Sequence, residues 1–291
     1  MISPAFDLPL EDGRTCTVRV AAPPGCMPAH GWPVAYVLDL KQFESMRADP
    51  RGLPGLLVGL GPGVPEDRRW DYTPLGAGRR VGRSDETRGA ASAAPPGLRV
   101  GAARWLRVLD RVRAQVARDW RLDSRHQVLC GHSLGALFAL YVLTHRARAF
   151  EGYVLSSPSV WWGDHYAIRL LRRRRAWLCA RQMPSLGVRL TVGAHEQGLA
   201  PEEYGCAIPA EERARRLALR RARAMVDGMH ELAGTLARCP GLRLDSAVLP
   251  GHTHQSAPVE ALMSGWRWLL AGASGEETPA AGTDPAGHGR R

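Results

Sequence analysis

The chain has 291 residues and a formal net charge of +11 at pH 7. Hydrophobic residues make up 45% and charged residues 23%, which are the proportions of a globular protein and exclude a fibrous or wholly disordered chain. The longest apolar stretches fall short of the roughly 18 to 20 residues that a membrane-spanning helix needs, so no membrane association is expected. No nucleic-acid-binding motif accompanies the arginines, and the charge therefore favours an anionic small-molecule substrate over nucleic acid.

The six cysteines are scattered and show neither a C-x-x-C pair nor a Cys/His cluster at zinc spacing. We therefore expect free thiols, no disulfide framework and no structural metal. The segment Met1–Val20 carries several charges and lacks the apolar core of a secretory signal. These features predict a cytoplasmic protein, or a periplasmic one if an upstream segment has been removed. We expect a monomer or a weak dimer.

Short β-branched runs alternate with longer helical periods, which predicts an α/β fold with a mostly parallel central sheet and helices on both faces. In chain order, we predict strands at 15–20, 34–38 and 56–60, a helix at 98–120, a strand at 127–130, a helix at 134–145, a strand at 152–155, a helix at 165–180, a strand at 188–192, a helix at 211–238, a strand at 242–248 and a helix at 257–270.

No internal repeat or linker divides this pattern, so residues 1–271 are predicted to form a single domain. Residues 76–97 form a Gly/Ala/Arg/Pro-rich loop that is longer than ordinary connections, which is typical of a lid or of a disordered segment. Residues 272–291 contain almost no bulky apolar side chain and are predicted to be a disordered C-terminal tail.

The segment 131–135 (GHSLG) follows an apolar strand directly and precedes a helix directly. G-x-S-x-G alone is a weak pattern, but a strand, a sharp turn and a helix around it are the context of a nucleophile elbow. The turn exposes the Ser133 hydroxyl at the top of the sheet, and the two glycines let the neighbouring backbone pass closely. Ser133 is therefore the predicted nucleophile, and the Leu134 N–H, at the helix N-terminus, is predicted to stabilise an oxyanion.

A serine nucleophile needs a general base, which in this fold lies between the last strand and the last helix. Both His252 and His254 occupy that loop, and their spacing does not distinguish them. The acid should follow the preceding strand, where Glu196 comes soon after 188–192. Asp245 and Asp227 are the alternatives, although the first lies within a predicted strand and the second on a predicted helix surface.

Six segments carry a more specific pattern than the elbow alone. They are 33–39 (PVAYVLD), 69–74 (RWDYTP), 131–140 (GHSLGALFAL), 156–162 (SSPSVWW), 192–196 (VGAHE) and 250–254 (PGHTH). In these segments the chain resembles the enterobactin and salmochelin (catecholate siderophore) esterases, within the wider esterase D group of α/β-hydrolases. The resemblance runs from about residue 15 to residue 270 and implies the α/β-hydrolase fold.

The resemblance also implies roles for single residues. The catalytic histidine of the family lies four residues after the proline of a Pro-Gly turn, which selects His254, and Glu196 is favoured as the acid, although some members work largely as a Ser–His dyad. The second oxyanion N–H would come from around Leu40. The family often has glycine after the preceding aspartate, whereas this chain has Leu40 and Lys41, so the loop differs here.

A ferric tris-catecholate carries a charge of minus three, which arginines and stacked aromatic rings would bind. The resemblance implies Arg68, Arg69, Trp161 and Trp162 as substrate-binding residues, and Arg79, Arg80 and Arg83 could join them from the long loop. The implied activity is a serine esterase that opens the trilactone of a siderophore such as ferric enterobactin and releases iron, without a cofactor. The alternatives are a carboxylic-ester hydrolase or acyltransferase of the esterase D group with another substrate, or a non-catalytic binding protein on a hydrolase scaffold.

Overall fold

The structure, a computed structural model, describes residues 5–74, 101–180, 186–204 and 208–273. Within these residues, eight strands form one sheet in the order β1-β2-β4-β3-β5-β6-β7-β8. The strands are β1 (Ala5–Pro9), β2 (Thr15–Ala21), β3 (Trp32–Leu38), β4 (Leu56–Pro62), β5 (Leu122–His132), β6 (Gly152–Ser156), β7 (Gly187–Gly193) and β8 (Arg243–Leu249).

The sheet is parallel from β4 to β8 and antiparallel at one edge. β1 pairs with β2 and β2 pairs with β4 in antiparallel register, whereas the other neighbours run parallel. Helices connect most of the parallel strands and cover both faces of the sheet, and they keep the carboxyl ends of β5, β6, β7 and β8 at one edge. The predicted mostly parallel α/β sheet is confirmed.

Eight α-helices are present in the described part of the chain. They are α1 (Leu40–Arg47), α2 (Arg68–Asp71), α3 (Ala102–Asp119), α4 (Leu134–His145), α5 (Trp162–Cys179), α6 (Ala210–Arg223), α7 (Met225–Leu236) and α8 (Ala257–Ala273). Short 3-10 helices lie at Pro65–Asp67, Ala147–Ala149 and Pro201–Tyr204.

The core lies on both faces of the sheet because the side chains of each strand alternate. In β3, Tyr36 packs in the cluster that contains apolar residues of α3, α4, α5 and α7, whereas its neighbours Ala35 and Val37 pack in the cluster that contains residues of α1 and α8. All three residues are fully buried. The central strands are buried on both faces, and their sequences are therefore almost continuously apolar.

Several predicted elements differ from the observed ones. The predicted helix 211–238 is wrong as a single element, because Ala224 adopts φ +46° and divides it into α6 and α7. The predicted helix 165–180 starts earlier, at Trp162, with non-helical dihedral angles at 163–165. β1 and α1 were not predicted at all.

The predicted loop 76–97, with Arg79, Arg80 and Arg83, lies outside the described residues. The predicted start of the C-terminal tail at residue 272 is wrong, because α8 continues to Ala273, and the rest of the predicted tail 272–291 lies outside the described residues. Among the residues that are described, no helix combines the length and the apolar composition needed to cross a membrane.

Candidate active site

Ser133 lies at the junction of β5 and α4, in a backbone conformation that few residues adopt. Its φ is +58° and its ψ is −118°, a sparsely populated region that costs on the order of 1–3 kcal/mol. A Cβ at Gly131 would lie 2.4 Å from the carbonyl carbon of Gly135, so the turn requires glycine at that position. The structure therefore has the geometry of a nucleophile elbow.

His254 follows β8 and reaches the elbow from the loop before α8. Its Nε2 lies 3.0 Å from the Ser133 Oγ, and its Nδ1 lies 2.7 Å from Glu196 Oε2. The carboxylate fixes the proton on Nδ1, which leaves Nε2 free to accept the proton of the serine hydroxyl. The three predicted catalytic residues thus form one hydrogen-bonded chain.

Glu196 is almost completely buried, with 4% of its surface exposed. Its Oε1 accepts a hydrogen bond from the backbone N–H of Gly193 at 2.8 Å and another from the Ser157 hydroxyl at 2.5 Å. A Cβ at Gly193 would lie 2.5 Å from the His252 carbonyl oxygen, so glycine there permits the β7 and β8 loops to approach each other. This close approach brings Glu196 within reach of His254.

The alternative residues occupy other environments. The buried Nδ1 of His252 has no hydrogen-bond partner among the described residues, and the backbone carbonyl of His252 accepts the His195 N–H at 3.0 Å. Asp245 lies in β8 and pairs with Arg189. Asp227 accepts a hydrogen bond from the Gln197 amide at 2.6 Å.

The residue before the nucleophile, His132, is a buried neighbour of the general base. Its ring centroid lies 4.5 Å from that of His254, and its Nδ1 lies 3.0 Å from the Ser156 hydroxyl. Burial, together with the positive charge that His254 would carry, lowers the pKa of His132 well below its ordinary value of 6.5. His132 is therefore neutral at physiological pH and adds no charge beside His254.

One cleft of about 500 Å³ opens beside Ser133 and His254 and contains the start of α1. Leu40 is the first residue of that helix, and the first N–H groups of a helix have no partner within it. Leu40 and Ser133 line the same cleft, and the next α1 residue, Lys41, adds an ammonium group. Leu134 begins α4 directly after Ser133, so α4 and α1 both begin near the nucleophile.

Arg68 lines the same cleft and pairs with Asp39, the residue between β3 and α1. Its guanidinium lies 2.8 Å from the carboxylate of Asp39, a residue with φ +85° at the end of β3. Burial raises the pKa of Asp39, and the positive charge of Arg68 opposes that rise. Arg68 therefore serves both as a cation facing the cleft and as the partner of a buried carboxylate.

A second cleft of about 310 Å³ lies on the α6 side of the same residues. Ser133, Glu196 and His254 line it together with Trp161. Its other wall carries three α6 arginines spaced four and three residues apart, which places them on one helix face: Arg216, Arg220 and Arg223. Sequence reasoning missed these arginines, although their spacing within a predicted helix was a visible signal.

The α6 arginines are held in position by neighbouring groups. The guanidinium of Arg220 pairs with Glu203 at 2.5 Å, and Arg216 pairs with Glu212 at 2.7 Å. The Arg223 guanidinium lies 5.0 Å from the ring centre of Trp161. The second cleft thus presents an aromatic ring and ordered cations directly beside the nucleophile.

Two further predicted binding residues, Arg69 and Trp162, line neither cleft. Arg69 is exposed and its guanidinium lies 4.9 Å from the ring centre of Trp70. Trp162 is 5% exposed and belongs to the hydrophobic core. In the described part of the chain, no group of three His, Cys, Asp or Glu side chains is arranged as a metal site requires.

The family model described as "Serine aminopeptidase, S33" matches residues 81–238, which is more than half of the chain. The chain belongs to this family. This S33-family chain shares its α/β-hydrolase fold with solved siderophore hydrolases. Siderophore hydrolase EstA from Aspergillus nidulans superposes with a TM-score of 0.73 over 94% of this chain and 95% of that one, at 23% identity. At that identity the likeness establishes the fold alone.

Two curated relatives of this S33-family chain are also siderophore esterases by name. The ferri-bacillibactin esterase BesA of Bacillus subtilis is 27% identical over 176 residues, which cover 55% of this chain and 58% of the relative. The siderophore enterobactin esterase of Emericella nidulans is 37% identical over 79 residues, which cover 26% of this chain and 25% of the relative. Each match therefore spans less than two thirds of the relative's own length.

Proposed function

We propose that this protein is a serine carboxylic-ester hydrolase that cleaves the ester bonds of a siderophore, with Ser133 as nucleophile. The observation that carries the proposal is the hydrogen-bonded chain from Ser133 through His254 to the buried Glu196. The similarity to relatives named as esterases of ferri-bacillibactin and enterobactin supports the choice of substrate class.

In the acylation step, His254 Nε2 takes the hydroxyl proton of Ser133 while Oγ attacks the ester carbonyl carbon. The carbonyl oxygen becomes an oxyanion, which the N–H groups of Leu134 and Leu40 would stabilise at the N-termini of α4 and α1. His254 then returns the proton to the departing alcohol oxygen, and the acyl group remains on Ser133.

In deacylation, His254 accepts a proton from water, and the resulting hydroxide attacks the acyl carbon. The ester bond to Ser133 breaks, and the proton returns to the Ser133 Oγ as the acid product leaves. Glu196 keeps its negative charge throughout and stabilises the imidazolium that forms in each step. The cycle ends with free enzyme, an alcohol and a carboxylic acid.

The two clefts beside Ser133 support an anionic, aromatic substrate. Three dianionic catecholates around Fe(III) leave a charge of minus three, and cations near the nucleophile would attract such a ligand. Arg68 and Lys41 line the first cleft, and Arg223 over Trp161 lines the second. A catechol ring beside the Trp161 ring would gain both stacking and charge interactions.

The substrate assignment is tested by the products formed from a small panel of compounds. The panel contains enterobactin with and without Fe(III), a neutral p-nitrophenyl ester, and an aminoacyl p-nitroanilide, because the matching family is described as aminopeptidases. We expect linear dihydroxybenzoylserine products from the trilactone, at a higher kcat/KM than for the neutral ester. Hydrolysis of the neutral ester alone would leave an esterase with another substrate, and hydrolysis of the anilide alone would replace the esterase by a peptidase.

We extend the proposal to a cytoplasmic location for this hydrolysis. Five cysteines in the described part of the chain are free thiols: Cys16, Cys26, Cys130, Cys179 and Cys239. Free thiols are typical of a reducing compartment, whereas secreted proteins form disulfides. Fractionation of cells that express the tagged full-length protein tests the assignment, and recovery from the periplasmic fraction would contradict it.

A further inference from the structure

Three buried serines lie within four residues at the carboxyl end of β6, and each contacts a different residue of the active site. Ser156 Oγ lies 3.0 Å from His132 Nδ1, Ser157 Oγ lies 2.5 Å from Glu196 Oε1, and Ser159 Oγ lies 3.2 Å from Ser133 Oγ. β6 lies between β5, which ends at the nucleophile, and β7, which ends before Glu196. The middle strand therefore contributes hydroxyl groups to both neighbours.

Ser157 has the contact that bears most directly on the acid. A glutamate carboxylate rotates freely about its last torsion unless hydrogen bonds fix it. Glu196 Oε1 accepts two hydrogen bonds, from the Gly193 N–H and from the Ser157 hydroxyl, and these two donors fix the plane of the carboxylate. The other oxygen, Oε2, then faces His254 Nδ1 at 2.7 Å.

The Ser157 backbone is held in a conformation that a serine seldom adopts. Its φ is +45°, and the residue is fully buried. Its N–H donates to the Thr191 carbonyl of β7 at 2.8 Å, and Pro158 follows it. Glycine would adopt this φ without steric cost, so a serine here retains its hydroxyl against the backbone preference.

We propose that Ser157 is a positioning residue for ester hydrolysis, whose hydroxyl holds the Glu196 carboxylate in the orientation that directs the His254 proton onto Nδ1. This inference rests on the proposed use of Ser133, His254 and Glu196 in catalysis. Ser157 acts through Glu196, and its contribution to the rate exists only while that carboxylate is present.

A double-mutant cycle tests this dependence. Ser157→Gly and Ser157→Ala are each prepared alone and combined with Glu196→Ala, and kcat and KM are measured separately with a p-nitrophenyl ester. We expect each Ser157 variant alone to lower kcat about 10-fold at an unchanged KM, as the loss of one hydrogen bond to a charged group does. In the Glu196→Ala background we expect no further loss, because the partner is already absent.

The controls separate a role through Glu196 from a general effect on the fold. Glycine adopts a positive φ without steric cost, so Ser157→Gly still removes the hydroxyl from a folded protein if Ser157→Ala does not fold. Ser246→Ala, at an exposed position in β8, is the matched serine deletion and should leave kcat and KM unchanged. Equal fold losses in both backgrounds, or full activity of both Ser157 variants, would overturn the proposal.

The outcome also distinguishes this inference from the proposed function. Full activity of Glu196→Ala would show that the acid is not used, and the role of Ser157 would fall with it. Failure to cleave any siderophore would remove only the substrate assignment, because the cycle is read with a simple ester.

Discussion

Replacing Glu196 by alanine and by glutamine should lower kcat/KM by different factors. The hydrogen bonds around the carboxylate determine which variant loses more activity. Alanine removes a single carboxylate that stabilises the imidazolium of His254. Hydrogen bonds to charged groups contribute about 1.5–3 kcal/mol, and the His254 side chain is 36% exposed, which favours the lower half of that range. A loss of about 2 kcal/mol corresponds to roughly a 30-fold decrease in kcat/KM.

Glutamine should be worse than alanine, although it is closer in shape to glutamate. The Gly193 N–H and the Ser157 hydroxyl both donate toward the position of Oε1, so the amide oxygen must occupy that position. The amide NH₂ group then faces His254 Nδ1 and donates to it, which moves the imidazole proton to Nε2. In that tautomer Nε2 cannot accept the Ser133 proton. Wrong-tautomer variants of other triads lose activity by about 10⁴-fold, and we expect about 10³- to 10⁴-fold here.

The assay is kcat/KM for a p-nitrophenyl ester at pH 7, with thermal unfolding of each variant to show that the fold is retained. A Glu196→Gln variant that is more active than Glu196→Ala, or either variant with the activity of the wild type, would refute the assignment of donors and acceptors around Glu196.

Three further predictions concern residues around this triad. His132→Asn should flatten the pH dependence of stability. The pKa of His132 in the folded chain lies well below 6.5, so below pH 6.5 the unfolded chain binds a proton that the folded chain does not. The wild type therefore loses up to about 1.4 kcal/mol of unfolding free energy for each unit by which the pH falls, and the variant should not. Ser159→Ala should lower kcat about 5-fold at an unchanged KM, because it removes one hydrogen bond to the Ser133 Oγ. Arg223→Ala should raise the KM for a ferric catecholate about 5-fold without changing the KM for a neutral ester, because it removes the cation that stacks on Trp161.

Each of these predictions has its own control. Urea unfolding at pH 5 and pH 7 compares His132→Asn with the wild type, and equal pH slopes would contradict the first prediction. A raised KM at unchanged kcat would contradict the second. Arg173→Ala, at an exposed position of α5 outside both clefts, is the matched arginine deletion for the third, and an equal rise in KM in both arginine variants would indicate a general charge effect.

The elements that local patterns determine were predicted closely. α4 has the predicted bounds, 134–145, because an apolar strand, a glycine turn and an apolar helix are all visible within about twenty residues. β1 was missed because it is a short edge strand with partly exposed side chains. The division between α6 and α7 at Ala224 carries no glycine or proline, so nothing in the local sequence marks it.

The candidate site was predictable where residues follow strands in order, and not where tertiary packing decides. Glu196 could be predicted because it lies three residues after the end of β7, and Ser133 because it lies within a motif. His254 could not be separated from His252 by spacing, since both lie in one short loop. The contact of Ser157 with Glu196 depends on the pairing of β6 with β7, which the sequence does not display. The spacing of the α6 arginines shows in the sequence that they share one helix face, but only packing shows that this face borders the second cleft.

The most direct test of the proposed hydrolysis is the mass of the protein during turnover of a siderophore trilactone. The wild type is mixed with enterobactin, quenched with acid within one turnover, and digested for mass spectrometry of the peptide that contains Ser133. We expect an acyl adduct on Ser133 in the wild type, and neither adduct nor hydrolysis in Ser133→Ala. Hydrolysis at the wild-type rate by Ser133→Ala would contradict the proposed mechanism.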